Sequence, residues 1–373
     1  MSGIANPASV VAWGGLVLGF AFGAVANRTN FCTMGAVSDV VNMGSWGRMR
    51  MWLLAIAVAI AGAQALDLAG VVDLGKSIYV RANVTWLSYA LGGLLFGIGM
   101  TLGSGCGSKT LVRLGGGSLK SLVVFVFLGL GAYMALKGVL ALPRARGLDL
   151  VATDLAARGI TRADLPVALA SLTGAGERAM RIVVTILAVG ALLAFVFRDR
   201  GFRTSFDHIL GGTVVGLVIV GGWYVSGHLG FGENPETLEM GFFGTNSRTI
   251  ESLSFVAPVG YALELVLLWS DASLHVSFGI AAVVGIILGS FGYAIATRTF
   301  RWEGFAGAED TAVHIVGGLL MGFGGVTALG CTVGQGLSGL STLAIGSPVA
   351  FAGIVAGSAL TMKWQYWRIA REA

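Results

Sequence analysis

Nine runs of this sequence are apolar over roughly the 20 residues that a helix needs to cross a hydrocarbon layer of about 30 Å. They cover 11–27, 51–72, 84–102, 119–141, 180–197, 207–225, 275–296, 311–327 and 347–364. A chain with so many spans is predicted to be an all-α polytopic membrane protein, because only helices and closed barrels satisfy the backbone in lipid. Composition agrees: 12% of the residues are charged, against about 25% in a soluble domain. Most of the surface therefore faces lipid, and a soluble enzyme is excluded. The formal net charge of +5 is not read as a nucleic-acid footprint, since the Lys and Arg residues fill the gaps between apolar runs and act as topology determinants.

Four further stretches are semi-apolar but too short or too Gly-rich to cross alone: 33–43, 107–115, 254–269 and 332–343. They are expected as short helices dipping partway into the membrane. Pro258, Gly260 and Glu264 make 254–269 a poor span. Residues Met1 to Val10 carry no basic leader ahead of the first apolar run, so no cleavable signal peptide is expected.

The pattern Gly-Gly-x-x-x-Gly recurs four times, beginning at Gly14, Gly92, Gly211 and Gly317. By itself each copy means close helix packing. The second and fourth copies match further without a gap: Gly92-Gly93-Leu94-Leu95 with Gly317-Gly318-Leu319-Leu320, Gly99 with Gly324, and Gly105-Cys106 with Gly330-Cys331. The expected organisation is a first transmembrane half at 1–141, a charged extramembrane loop and linking span at 142–206, and a second half at 207–373. One linking span inverts the second half relative to the first, as in many transporters. Basic residues such as Arg48, Arg50, Arg198, Arg200, Arg298 and Arg301 place the C-terminus in the cytoplasm and the N-terminus outside.

The three cysteines, Cys32, Cys106 and Cys331, all fall in corresponding loops that follow a glycine-containing span and precede a short helix. An odd number without CxxC argues against a disulfide framework or a thiol oxidoreductase. A lone membrane cysteine reads as a small buried hydrophobe, but three at equivalent places point to a shared role. Irregular backbone at membrane depth belongs against a wet cavity, and a helix starting after each cysteine offers its positive end to a small anion. The fourth equivalent loop, Tyr224 to Gly230, has Leu229 in place of the cysteine and His228 beside it. No metal site is expected, because the cysteines come singly. Arg28, Lys109 and Gln335 sit within a few residues of a cysteine and could meet an anion. Arg28 and Lys109 read equally well as interfacial anchors. His208 and His314 are expected at the interface, His275 carries little signal, and Glu264 is either in a vestibule or paired.

The segments Asn30-Phe31-Cys32-Thr33, Gly103-Ser104-Gly105-Cys106-Gly107-Ser108 and Leu329-Gly330-Cys331-Thr332-Val333-Gly334-Gln335-Gly336 resemble the YeeE/YedE family of bacterial sulfur-compound transporters. The resemblance covers nearly the whole chain, apart from 142–180. It implies an hourglass of nine spans plus short helices in the bacterial inner membrane, with cysteines along the waist. It also implies uptake of thiosulfate passed between thiols, with Cys106 central, and a cytosolic sulfurtransferase partner. The residues expected to line the path are Asn30, Cys32, Ser104, Gly105, Cys106, Lys109, His228, Gly330, Cys331 and Gln335. No catalytic residue and no cofactor is expected. The thiols are expected to stay protonated near neutral pH, since a thiolate repels a dianion. Two other readings stay open: a membrane enzyme that makes a persulfide on Cys106, and a carrier of a selenium or organosulfur species. No GxxxxGK[ST] is present, so ATP-driven transport by this chain alone is not expected.

Overall fold

The computed structural model describes residues 6–233 and 238–372, without the side chains of Arg158 and Glu372. The positions 1–5, part of the stretch read for a leader, lie outside the described residues. The chain first forms helices α1 (Pro7–Thr29), α2 (Thr33–Met43), α3 (Gly47–Leu68), α4 (Trp86–Leu102), α5 (Gly107–Gly115) and α6 (Leu119–Leu136). It continues through α7 (Ala141–Arg146), α8 (Leu165–Thr173), α9 (Glu177–Phe197) and α10 (Arg200–Thr204). The remainder holds α11 (Phe206–Tyr224), α12 (Ala257–Leu267), α13 (Phe278–Ala296), α14 (Ala308–Thr327) and α15 (Gly346–Glu372). Among the described residues, strand is confined to two small antiparallel pairs, Asn83–Val84 with Thr153–Asp154 and Phe231–Glu233 with Met240–Phe242.

Among the described residues, seven helical stretches are long and apolar enough to cross a membrane: Pro7–Met43, Gly47–Leu68, Trp86–Gly115, Leu119–Leu136, Glu177–Phe197, Phe206–Leu229 and Phe278–Ala296. The other two expected spans, 311–327 and 347–364, lie within the long helices α14 and α15. The chain is an all-α polytopic membrane protein. The four short stretches are α2, α5, α12 and the helical turns of 332–341, which include a π-helical segment Gly334–Gly339. Pro258 sits in the first turn of α12, where its missing N–H is harmless and its fixed φ suits the helix.

The recurring glycines are packing positions. A Cβ on Gly97 would overlap the Ile354 carbonyl, and one on Gly19 would overlap that of Ala282. Without that atom, backbones approach closely and dispersion replaces the hydrophobic drive that lipid does not supply. The two best-matched copies face each other. Gly92 of α4 lies against Gly324 of α14, while Gly99 lies against Gly317, so the two helices run antiparallel. The same crossing order holds for α1 and α11, where Gly14 meets Val225 and Gly211 meets Thr29.

Residues 142–176 do more than link spans. Asp164 is fully buried and paired with Arg162 at 2.6 Å and Arg181 at 2.9 Å; both arginines also face Asp67 of α3, at 3.1 and 3.4 Å. Arg181 donates to Gln64 Oε1 at 3.0 Å, and Gln64 Nε2 donates to the Ser341 carbonyl at 2.8 Å. Leu165 N–H also bonds the Leu343 carbonyl at 2.9 Å. The charged segment is thus strapped to the end of the broken helix that begins at Cys331.

Candidate functional site

The three cysteine loops share one backbone solution. Each preceding helix ends on a non-glycine residue in the left-handed region, two positions before the cysteine: Asn30 (φ 52°), Ser104 (φ 56°) and Leu329 (φ 57°). In each loop the following N–H bonds the carbonyl five residues back: Phe31 to Ala26 at 3.2 Å, Gly105 to Met100 at 2.9 Å and Gly330 to Gly325 at 2.7 Å. This is the 6→1 closure of a Schellman motif. It stops one helix, reverses the chain, and sets the cysteine at the start of the next.

Cys32 caps α2, with Gly35 N–H 3.4 Å from its sulfur. Cys106 precedes α5, with Sγ 3.3 Å from Ser108 Oγ. Cys331 precedes the 332–341 turns, with Gly334 N–H 3.3 Å from its sulfur. All three are free thiols and buried. Three helix N-termini therefore point at three sulfurs, and each terminus favours negative charge by about 0.3–1 kcal/mol at accessible sites.

The loops converge. The Cys32 and Cys106 thiols lie against one another. Cys331 stands near Cys106 and is approached by the N–H of Phe255. Lys109 stands near both Cys32 and Cys106 and donates to Asn30 Oδ1 at 3.1 Å. Phe22, Phe31, Trp52 and Phe255 form an aromatic collar, with Phe31 stacked on Trp52 at 4.7 Å and Phe22 tilted against Phe255 at 5.6 Å.

Two cavities adjoin these loops. One of about 170 Å³ is lined by Tyr79, Glu251, Ser254, Tyr261 and Gly330, on the Cys331 side. Another of about 430 Å³ is lined by Asn27, Lys109, Arg113, Arg301 and Glu303. The small cavity thus adjoins the Cys331 turn, and the basic cavity is lined by Lys109, which stands near both Cys106 and Cys32.

Sequence reasoning missed the hydroxyls beside the sulfurs. Thr332 faces the Cys106 thiol, yet Thr33 Oγ1 and Thr332 Oγ1 are both buried without a well-formed hydrogen bond. Each directly follows a cysteine, and the repeated Cys-Thr dipeptide was the available signal. Gln335 Nε2 bonds the Ala328 carbonyl, while its Oε1 is left without a partner. Such orphans are rare in a folded core; of those among the described residues, Thr33, Thr332 and Gln335 belong to the segments that follow a cysteine.

The other expected residues divide. Gly105 and Gly330 sit in the turns; a Cβ on Gly330 would press 3.1 Å from the Gln335 nitrogen. The Ser104 carbonyl accepts from Arg113 at 2.7 Å. His228 is not brought to the thiols: it is exposed and stacks on Tyr224 at 5.2 Å. Arg28 is exposed and pairs with Asp207 at 3.1 Å, whereas Lys109 stands near Cys32 and Cys106, and Arg48, paired with Asp39, stands near Cys32. Glu264 is paired, with Lys137 at 2.8 Å and the Tyr133 hydroxyl at 2.9 Å. His208 stacks on Phe202, His314 is buried against Asp310, and His275 lies exposed in an outer basin.

Residues 28–360 match the family model described as sulphur transport. The chain belongs to that family, the YeeE/YedE family. It is 29% identical over 338 residues to the thiosulfate transporter TsuA of Escherichia coli (strain K12), covering 87% of this chain and 86% of that protein. It is 26% identical over 360 residues to the thiosulfate transporter TsuA of Spirochaeta thermophila, covering 95% of this chain and 99% of that protein. The family match takes in all three cysteine loops, so transport of a sulfur compound is the family-level activity in which the waist must be read.

Proposed function

We propose that this protein takes up thiosulfate across the bacterial inner membrane as an intact anion passed between Cys331, Cys106 and Cys32. The observation that carries the reading is the convergence of three buried thiols, three helix N-termini and two orphan threonine hydroxyls. Burying a dianion without compensation is prohibitive. A neutral thiol donates a weak S–H to a soft terminal sulfur, and hydroxyls and helix termini take the oxygens. Serial weak sites allow release, where one tight site would trap the ion. Lys109 then draws the anion toward the basic cavity, from which a cytosolic sulfurtransferase would collect it.

In this reading the antiparallel packing of α4 with α14 reflects two inverted halves, 1–141 and 207–373, with the N-terminus outside and the C-terminus in the cytoplasm. The short helices dip to the midplane and the chain performs no covalent chemistry. The test is uptake of thiosulfate carrying distinct isotopes on its two sulfurs into proteoliposomes. Wild type should admit both labels together, and Cys106→Ala should lower uptake by about tenfold to a hundredfold, the worth of one to two hydrogen bonds to a charged group. Retention of only the outer sulfur on the protein would replace the relay with persulfide chemistry.

A further inference from the structure

The small cavity beside Cys331 is where an anion arriving from the mouth on the N-terminal side would wait, and it contains a carboxylate. Glu251 lies on its wall, with Gly330 and Ser254 beside the sulfur-bearing turn. Ser254 Oγ is also close to Gly334, the residue whose N–H meets the Cys331 sulfur. Glu251 is held in place at its backbone, since its N–H donates to Ser226 Oγ at 3.0 Å and its carbonyl accepts from the same hydroxyl. The side chain accepts from Ser247 N–H at 2.8 Å.

Among the described residues no cation answers it. The titratable groups lining the cavity are Tyr79 from the turn Ile78–Val80, Tyr261 from α12 and Glu251 itself. Beyond Tyr261 stand Lys137 and Glu264, which neutralise each other. Behind Gly330 is Cys331, and Arg248 of the same loop faces the neighbouring outer basin. An ionised Glu251 would therefore meet an incoming dianion across a confined space with only neutral donors around it. Like charges sharing a site force one of them to take a proton. The protonated carboxyl then becomes a donor, and can offer its O–H to an oxygen of the anion.

We propose that Glu251 is a proton site in this antechamber, protonated from solution as the sulfur dianion is admitted, so that admission of the anion is linked to uptake of a proton. The inference rests on the transport reading and supplies it with a coupling ion. An acid of a membrane protein that faces a cavity on the substrate path is the usual mark of such coupling. Oε1 keeps its Ser247 bond, and the proton resides on Oε2.

The experiment measures labelled thiosulfate uptake by proteoliposomes with the same buffer on both sides, from about pH 5.5 to about pH 8.5. Wild-type uptake should fall as pH rises, by up to about tenfold per unit, the limit for one linked proton. Glu251→Gln keeps the acceptor for Ser247 and cannot ionise, so its uptake should be independent of pH in this range; Glu251→Asp should retain the slope. A Glu251→Gln profile parallel to wild type would overturn the assignment. If that variant does not fold, purified wild type decides the matter alone. Thiosulfate added in weakly buffered detergent should draw protons from solution, as a pH dye reports, and an unchanged dye signal would sink the proposal. Wild type that moves no thiosulfate at any pH would overturn the transport reading beneath it.

Discussion

The three cysteine loops and the fourth equivalent loop start from the same kind of glycine-bearing helix and end differently. In the three, a left-handed residue and a 6→1 bond halt the helix and turn the chain inward. In the fourth, α11 runs on through a π-helical turn, Val225–Leu229, and only then bonds Gly230 N–H to the Val225 carbonyl at 2.9 Å. No residue from 225 to 230 has a positive φ. Leu229 and His228 consequently stay exposed, whereas Cys32, Cys106 and Cys331 are buried. The comparison teaches that the break builds the site. The aligned position is buried only where the backbone reverses beneath it.

Substitutions in the loops separate the two behaviours. Thr332→Val removes a hydroxyl that has no well-formed bond to lose, so folding should hold. Thiosulfate uptake should fall about tenfold, the loss of one hydrogen bond to a charged group. Unchanged uptake would mean the orphan hydroxyls are incidental. Ser104→Val places a β-branched residue in the left-handed region and should destabilise the protein by about 1–2 kcal/mol. Ser104→Gly should stay within about 1 kcal/mol of wild type; fluorescence-detected thermal unfolding in detergent compares the two. The smallest effect belongs to the fourth loop. Leu229→Cys should leave uptake unaltered yet react readily with a water-soluble maleimide, while the native thiols react slowly. Slow labelling of that cysteine, or a change in uptake, would bring the fourth loop into the path.

Local features of the chain were legible. Apolar runs of spanning length, glycine spacing, the Cys-containing breaks and the short helices after them each depend on neighbours within a few residues. The helices at 33–43 and 107–115 accordingly begin and end at Thr33–Met43 and Gly107–Gly115. The stretch 254–269, too broken to span, resolves into a short α12 opened by Pro258. What a local reading does not reach is long-range. The segment 142–180 reads as soluble because its charges are many. Yet Asp164 and Arg181 are buried as partners, and pairing makes burial of such charges tolerable.

His228 reads as a candidate for the same kind of reason. It stands beside Leu229, which aligns with the first cysteine, and nothing within the loop sequence says that the helix continues there. Only the π turn and the stacking on Tyr224 show that the ring sits away from the thiols. The Ser226 hydroxyl of that turn is committed to the Glu251 backbone, so the fourth loop braces the wall of the small cavity.

What the sequence determined by itself is therefore the membrane class, the breaks and the residues that carry sulfur, since each follows from local hydropathy and backbone preference. Only the tertiary structure decided which of these meet. Convergence of Cys32, Cys106 and Cys331 depends on helices packed through glycine faces far apart in the chain, such as Gly92 with Gly324. The position of Glu251 beside Gly330 likewise joins residues separated by α12, α13 and α14. Such contacts are set by the balance of close packing and polar satisfaction over the whole molecule, and no window of sequence contains it.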